Sequence, residues 1–234
     1  MASKPAESKP AAPAATASPA KASRPAEPAA KEDETAAKKA KAEAPAKAKP
    51  VATFETTLGT FKAEILLQDV PITASNFIDL VKAGFYDGLH FHRVIPDFMA
   101  QFGCPYSRHV DKMQNAGVGG PEEDSEFKNL VTGETLTRDE EGQIPDEFTS
   151  KISNKKGTLS MANCGPNTGG SQFFINTADN TNLDWWDTTT KSQHPVFGKI
   201  IEGMDVVVKI TKVPTKDDRP VTPVQMKKVT ISGI

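Results

Sequence analysis

The first 50 residues of the chain contain no Val, Ile, Leu, Phe, Tyr or Trp. Such a segment cannot bury enough apolar surface to offset the roughly 1–2 kcal/mol of backbone entropy that each ordered residue costs. Prolines recur from Pro5 to Pro50, and each interrupts the helix that the many alanines would otherwise favour. The sequence therefore predicts a disordered Ala/Pro/Lys-rich tail over residues 1–50 and confines the folded domain to residues 51–234.

The tail and the domain carry opposite net charges. Nine Lys and one Arg in residues 1–50 stand against five Glu and one Asp, a net charge of +4, whereas the whole chain has −2, which leaves −6 for the domain. Nucleic-acid contact by the tail is the less favoured interpretation, because acids are interleaved with the bases and the tail has no aromatic side chain to stack on a nucleobase. A spacer or solubilising arm is favoured.

The cellular compartment is indicated by targeting segments and by the two cysteines. No apolar run approaches the roughly 20 residues that span a bilayer, so we expect no membrane association. The N-terminal region lacks the apolar block of a secretory signal, which predicts a location in the cytosol, with the nucleus as the alternative. A monomer is the expected oligomeric state. Cys104 and Cys164 are then expected to be free thiols. Cys164 is interpreted as a small buried side chain rather than one that lines a cleft.

Short strands and two helices account for most of the domain. Residues 51–67 are typical of a hairpin, residues 71–84 and 203–211 of amphipathic helices, and residues 227–231 of a closing strand. Residues 121–144, rich in Glu, Asp, Thr and Gly, predict a surface excursion with a short hairpin. Two helices among many short strands favour a barrel or sandwich with helical caps.

The run FHRVIPDFMAQFG occupies residues 91–103. It begins as a strand that places Phe91, Arg93 and Ile95 on one face, and Pro96 then interrupts the ladder because proline has no N–H to donate. From this run alone, the favoured interpretation is a core strand whose arginine pairs with a carboxylate. The alternative is a shallow apolar cleft that contains one strong donor.

A second run, GTLSMANCGPNTGGSQFFI at residues 157–175, predicts a strand, a glycine-rich loop and a strand. The two runs together closely resemble the signatures of the cyclophilin family of peptidyl-prolyl cis-trans isomerases. HPVFGKI at residues 194–200 and GMDVV at residues 203–207 follow in the family's order. The resemblance covers about residues 51–234. It implies a mainly β fold, a closed eight-stranded antiparallel barrel capped by two α-helices, and an isomerase that assists protein folding or conformational switching.

The resemblance also implies a set of site residues. Rotation about an Xaa-Pro bond needs a held proline ring and a donor for the imide nitrogen, but no nucleophile, metal or cofactor, and none is expected. His90 and His92 form an His-x-His pair, but no third ligand is near them in the sequence, so a metal site is not favoured. The residues implied to be catalytic are Arg93, Phe98, Gln101 and Asn163, and those implied to bind substrate are Met99, Gly117, Ala162, Gln172, Phe174, Leu183 and His194.

One position departs from the family's pattern. Asn182 precedes Leu183 where many members carry a tryptophan, so the resemblance implies weak cyclosporin binding. Trp185 or Trp186 folding back over the pocket is a less favoured substitute than a role for this pair in packing. Proline-containing polypeptides are the expected partners. The rival hypotheses are a proline-peptide binding module that uses the same cleft without turnover, and a domain whose tail is the functional part.

Overall fold

The computed structural model describes residues 49–234, so the predicted tail lies almost entirely outside the described residues. Within that range, neither α-helix has the length and apolar content that crossing a bilayer requires. The strands are β1 (Val51–Thr56), β2 (Gly59–Ile65), β3 (Arg93–Ile95), β4 (Met99–Phe102), β5 (Glu126–Lys128), β6 (Thr135–Thr137), β7 (Thr158–Met161), β8 (Phe173–Asn176), β9 (Val196–Glu202), β10 (Thr215–Lys216), β11 (Arg219–Pro220) and β12 (Met226–Ser232). The α-helices are α1 (Pro71–Lys82) and α2 (Met204–Thr211), and 3₁₀ helices form at Pro105–Arg108, Val110–Asn115 and Thr181–Leu183.

One eight-stranded sheet dominates the described part of the chain, with the strand order β12-β1-β2-β9-β7-β8-β4-β3. All of its neighbouring strands run antiparallel, as predicted. The hairpin predicted near Leu58 is confirmed, because Thr56 and Gly59 are the last paired residues of β1 and β2. The helices predicted at residues 71–84 and 203–211 are also present.

The prediction of a closed barrel is wrong. β12 and β3 are the two edges of the sheet and share no ladder, so the sheet is open. The chain before β3 reaches the chain before β12 through an isolated bridge between His90 and Gln225 and a backbone hydrogen bond of 3.0 Å from Phe91 to Val224. Regular pairing with β4 starts only at Arg93, and β3 is three residues long. This edge is too short to complete a barrel.

The core lies on one face of the sheet and is rich in aromatic rings. Phe77 of α1 packs edge-to-face on Phe173 of β8, with ring centroids 5.6 Å apart. Phe91 also belongs to this core, where it packs on Phe102 at 5.0 Å. The prediction that Phe91 shares a face with Arg93 is therefore wrong, because the regular alternation of side chains between the two faces of the strand begins only after Phe91. Arg93 is exposed on the opposite face.

Residues 121–144 contain the predicted hairpin, formed by β5 and β6, but they do more than cross the surface. The Arg138 side chain is only 3% exposed, and its Nη2 lies 2.7 Å from a carboxylate oxygen of Asp79 in α1. Its Nε donates to Asn76 Oδ1 at 2.8 Å, and its guanidinium lies 4.8 Å from the centroid of the Phe127 ring. A buried arginine thus fixes this segment to α1.

Candidate active site

Strand register brings three of the predicted site residues into one row. Arg93 lies opposite Gln101 in the β3–β4 ladder, and Gln101 lies opposite Phe174 in the β4–β8 ladder. Directly opposed residues in antiparallel strands point to the same face of a sheet. A guanidinium, an amide and a phenyl ring therefore stand side by side on the face opposite the core.

A small apolar cluster, separate from the main core, lies on this same face. Asp97, in the left-handed conformation at φ 54°, completes the turn between β3 and β4 and leads directly into Phe98. Phe98 is thereby placed beside residues of β4, β8 and the loop after β8. The cluster consists of the buried Met99, Phe174 and Leu183 and the half-buried Ile95, Phe98 and Ala162. It brings together the five apolar residues that the sequence assigned to the site.

His194 packs against this apolar cluster. Its ring meets the Phe174 ring edge-to-face, with centroids 5.2 Å apart. Its Nδ1 lies 2.9 Å from the carbonyl oxygen of Met161, so Nδ1 is the nitrogen that carries the proton. Burial lowers the pKa of His194, although this hydrogen bond and the charge of Asp146 oppose the shift. The imidazole is consequently neutral at pH 7 and adds no second cation to the site.

Amide side chains define the polar side of the site. Gln101 Nε2 donates to Gln172 Oε1 at 3.2 Å, and Gln172 Nε2 donates to the Gly119 carbonyl oxygen at 2.9 Å. The Asn163 amide instead donates to the Gln193 carbonyl oxygen at 2.8 Å. A cavity of about 230 Å³ lies beside this hydrogen-bonded chain, and its lining includes Gln101, Gly117, Ala162, Asn163 and Gln172. The remaining predicted residues thus converge on this cavity.

Arg93 has a partner that the sequence did not reveal. Its Nε lies 3.4 Å from Oδ2 of Asp218, and the two side chains are 46% and 48% exposed. Pairing with a carboxylate was the favoured interpretation of residues 91–103, and an apolar cleft with one donor was the alternative. The structure contains both features together. The only trace of this partner in the sequence is the Asp-Asp-Arg run at residues 217–219, which no motif singles out.

His92 is buried behind the row, with 4% of its surface exposed, and neither ring nitrogen has a hydrogen-bond partner among the described residues. Burial, together with the positive charges of Arg219 and Arg93, lowers the pKa of His92 to about 4. The nearby Gln172 side chain opposes this shift, although its amide does not reach hydrogen-bond geometry with the ring. Within residues 49–234, no group of three His, Cys, Asp or Glu side chains could hold a metal ion.

Two further interpretations are settled by the loops around the site. Cys164 is a free thiol but is exposed and lines the cavity, so the prediction of a buried side chain is wrong. The glycine-rich loop turns it outward, and its N–H is held by the Thr168 hydroxyl at 2.8 Å. Trp185 stacks on Phe148 at 5.3 Å between centroids and donates to the Ser150 carbonyl oxygen at 3.3 Å. Its indole therefore has a packing role and is not part of the apolar cluster.

Comparison with known proteins identifies the family. Residues 51–231 match the family model described as cyclophilin type peptidyl-prolyl cis-trans isomerase/CLD. The peptidyl-prolyl cis-trans isomerase-like 1 of Neurospora crassa is 37% identical over 179 residues, which cover 76% of this chain and 91% of that relative. A peptidyl-prolyl cis-trans isomerase of Helicobacter pylori is 39% identical over 161 residues, covering 68% of this chain and 78% of the relative.

A solved structure resembles the chain as well. A cyclophilin type peptidyl-prolyl cis-trans isomerase of Cryptosporidium parvum, crystallised in the presence of the dipeptide Ala-Pro, matches with a TM-score of 0.60 and 26% identity. The match covers 78% of this chain and 98% of that one. The chain therefore belongs to the cyclophilin-type family of peptidyl-prolyl cis-trans isomerases and is an isomerase of Xaa-Pro peptide bonds.

Proposed function

We propose that Arg93 and the apolar cluster beside it carry the isomerase activity, with proline-containing polypeptides as substrates. The observation that supports this proposal is the shared face of the sheet, on which a partly exposed guanidinium stands in register with Phe174. The Ala-Pro dipeptide used with the Cryptosporidium parvum structure supports the choice of substrate.

The guanidinium supplies what the twisted imide needs. The barrier to rotation about a peptide bond is about 18–20 kcal/mol, because the twisted state loses amide resonance. The imide nitrogen then becomes pyramidal and accepts a hydrogen bond that the planar ground state cannot accept. Only interactions that are stronger in the transition state accelerate the reaction. A hydrogen bond to a charged donor contributes about 1.5–3 kcal/mol, which corresponds to roughly 10- to 150-fold in rate.

The apolar cluster holds the proline ring. A pyrrolidine ring has three CH₂ groups, and burying each of them is worth about 0.8 kcal/mol. Contact with Met99, Phe174 and Leu183 would thus contribute roughly 2 kcal/mol of binding, shared equally by the planar and twisted states. Such uniform binding lowers KM and leaves the carbonyl on the other side of the bond free to swing. Neutral His194 supports Phe174 through the edge-to-face contact of their rings.

The polar cavity receives the backbone on the other side of the imide bond. Gln101 and Gln172 are linked by their own hydrogen bond, so their remaining amide groups are held in fixed positions. Gly117 borders the same cavity at φ 112°, a left-handed conformation that suits glycine. We assign the substrate residues that precede proline to this side, with Asn163 and Ala162 contacting their backbone.

Cyclosporin binding is proposed to be weak. Asn182 is exposed, and neither Trp185 nor Trp186 belongs to the apolar cluster, so no indole N–H is available there as a donor. A monomeric state and a cytosolic location, with the nucleus as the alternative, stay predictions from the sequence.

A protease-coupled assay on a Xaa-Pro peptide tests the proposed role of Arg93. Arg93→Ala is expected to lower kcat/KM by roughly 10- to 150-fold. Arg108→Ala is the matched control, since Arg108 is also exposed but donates to the Phe85 and Asp87 carbonyl oxygens away from the row. Wild-type protein no faster than Arg93→Ala would support the binding-module hypothesis instead.

A further inference from the structure

We propose that Asp218 is a positioning residue for Arg93, which makes the β10–β11 hairpin a working part of the active site. The inference rests on the role proposed above for Arg93. Within residues 49–234, the Arg93 side chain makes no hydrogen bond, and its one ion pair joins Nε to Oδ2 of Asp218 at 3.4 Å. Gln101, its cross-strand neighbour, is already engaged with Gln172.

The hairpin holds Asp218 at a fixed place. Pairing of Thr215 with Pro220 and of Lys216 with Arg219 leaves Asp217 and Asp218 as the two turn residues. Their φ angles are 51° and 61°, as in the two-residue turns that suit hairpins, and Asp tolerates this conformation better than most residues.

The tip of the hairpin is docked on the strand that carries the arginine. The backbone N–H of Val94, the next residue after Arg93, donates to the carbonyl oxygen of Asp218 at 2.7 Å. The carboxylate and the carbonyl of one residue therefore contact two consecutive residues of β3. This double contact fixes the distance between the Asp218 carboxylate and the base of the Arg93 side chain.

A second arginine ties the hairpin to the other side of the cleft. Arg219 Nη2 donates to the carbonyl oxygen of Gln114, in the 3₁₀ helix that precedes Gly117. The hairpin thus links β3, the strand that carries Arg93, to the loop that borders the polar cavity. Its position next to both suggests that it fixes their relative placement.

The contact with Nε determines which Arg93 atoms remain free to donate a hydrogen bond to the substrate. A carboxylate beside Nε leaves both Nη groups free to donate, and it restricts the rotamers of a long side chain that would otherwise pay a large entropic cost on ordering. A half-exposed ion pair biases such an equilibrium by about two- to fivefold. Since the donor acts on the twisted state, the bias is expected in kcat rather than in KM.

The test compares Asp218→Asn with Asp217→Asn. Asn keeps the size of the side chain and its tolerance of positive φ, and Asp217 is the neighbouring turn residue without an ion pair among the described residues. Exchange NMR on a Xaa-Pro peptide is expected to show a two- to fivefold lower kcat with unchanged KM for Asp218→Asn only. Added salt should lower wild-type kcat toward that of Asp218→Asn, because the ion pair is screened.

Two readouts separate positioning from a structural effect. The Arg93 Hε–Nε resonance should shift in Asp218→Asn and not in Asp217→Asn, and Asp218→Asn should have no effect in the Arg93→Ala background. Equal kcat for the two Asn variants, or an equal loss in the Arg93→Ala background, would overturn the inference. Full activity of Arg93→Ala would instead overturn the proposed function, so the two failures are distinguishable.

Discussion

Glu147 is expected to stabilise the fold as a distant cap of α1. The first turn of a helix leaves four backbone N–H groups without intrahelical partners. Val70, at the N-cap, offers no side-chain hydrogen bond. Pro71 has no N–H, and the N–H of Val70 itself donates to the Leu66 carbonyl oxygen at 3.1 Å. The two remaining donors, Ile72 and Thr73, bind the Glu147 carboxylate at 3.0 and 2.8 Å.

The magnitude follows from these two hydrogen bonds. Glu147 is only 5% exposed, so water cannot replace a lost acceptor. In Glu147→Gln, one carboxylate oxygen becomes an NH₂ group that faces a backbone N–H, which leaves one buried donor unsatisfied at a cost of about 1–3 kcal/mol. Loss of the negative charge at the helix N-terminus adds about 0.3–1 kcal/mol. For a domain of this size, the sum corresponds to a Tm lower by about 4–12 °C.

Differential scanning calorimetry at pH 7 measures this change. Glu140→Gln is the matched control, because Glu140 is an exposed acid that lies outside α1 and does not line the polar cavity. Isomerase activity below the transition should be retained in both variants, since α1 packs against the core and not the cleft. A Tm for Glu147→Gln within 1 °C of both the wild type and the control would refute the argument that this carboxylate caps the helix.

Two other predictions concern titration and drug binding. The folded-state pKa of His92 is about 4 and its ordinary value is 6.5, so below pH 6.5 the unfolded chain binds a proton that the folded protein does not. Stability should fall by up to about 3 kcal/mol as the pH drops from 6.5 to 4, and urea titrations of His92→Gln should show a flatter profile; an unchanged slope would contradict the assignment. Asn182→Trp introduces an indole N–H donor beside Leu183, and it should tighten cyclosporin binding by about tenfold, as measured by isothermal titration calorimetry. Thr181→Val is the control at the neighbouring position. Equal affinities for wild type and Asn182→Trp would contradict this explanation.

Local patterns predicted most of the secondary structure. The hairpin at β1 and β2, both α-helices and the closing strand β12 each depend on residues close together in the chain. Their hydrophobic periods and turn residues are therefore visible in the sequence. The family and its activity were also predicted, since residues 91–103 and 157–175 are long and specific runs, and the family match confirms them.

Contacts between distant segments were not predicted. Whether the sheet closes depends on how residues 88–94 contact residues 218–226. The partner of Arg93 lies 125 positions further along the chain. The hydrophobic periodicity of a sequence does not indicate which distant residues form such pairs. The exposure of Cys164 likewise depends on the conformation of a glycine-rich loop rather than on its composition. The catalytic and binding roles of the eleven assigned residues stay predictions until variants are measured.

The docked tip of the hairpin has a consequence for how a client chain can approach the enzyme. An edge strand with free backbone groups invites an extended peptide to join the sheet. At β3, the outward N–H of Val94 is already occupied by the Asp218 carbonyl oxygen. A client is therefore expected to lie across the side chains of the sheet instead of lengthening it, which leaves the polypeptide free to leave once its proline has turned.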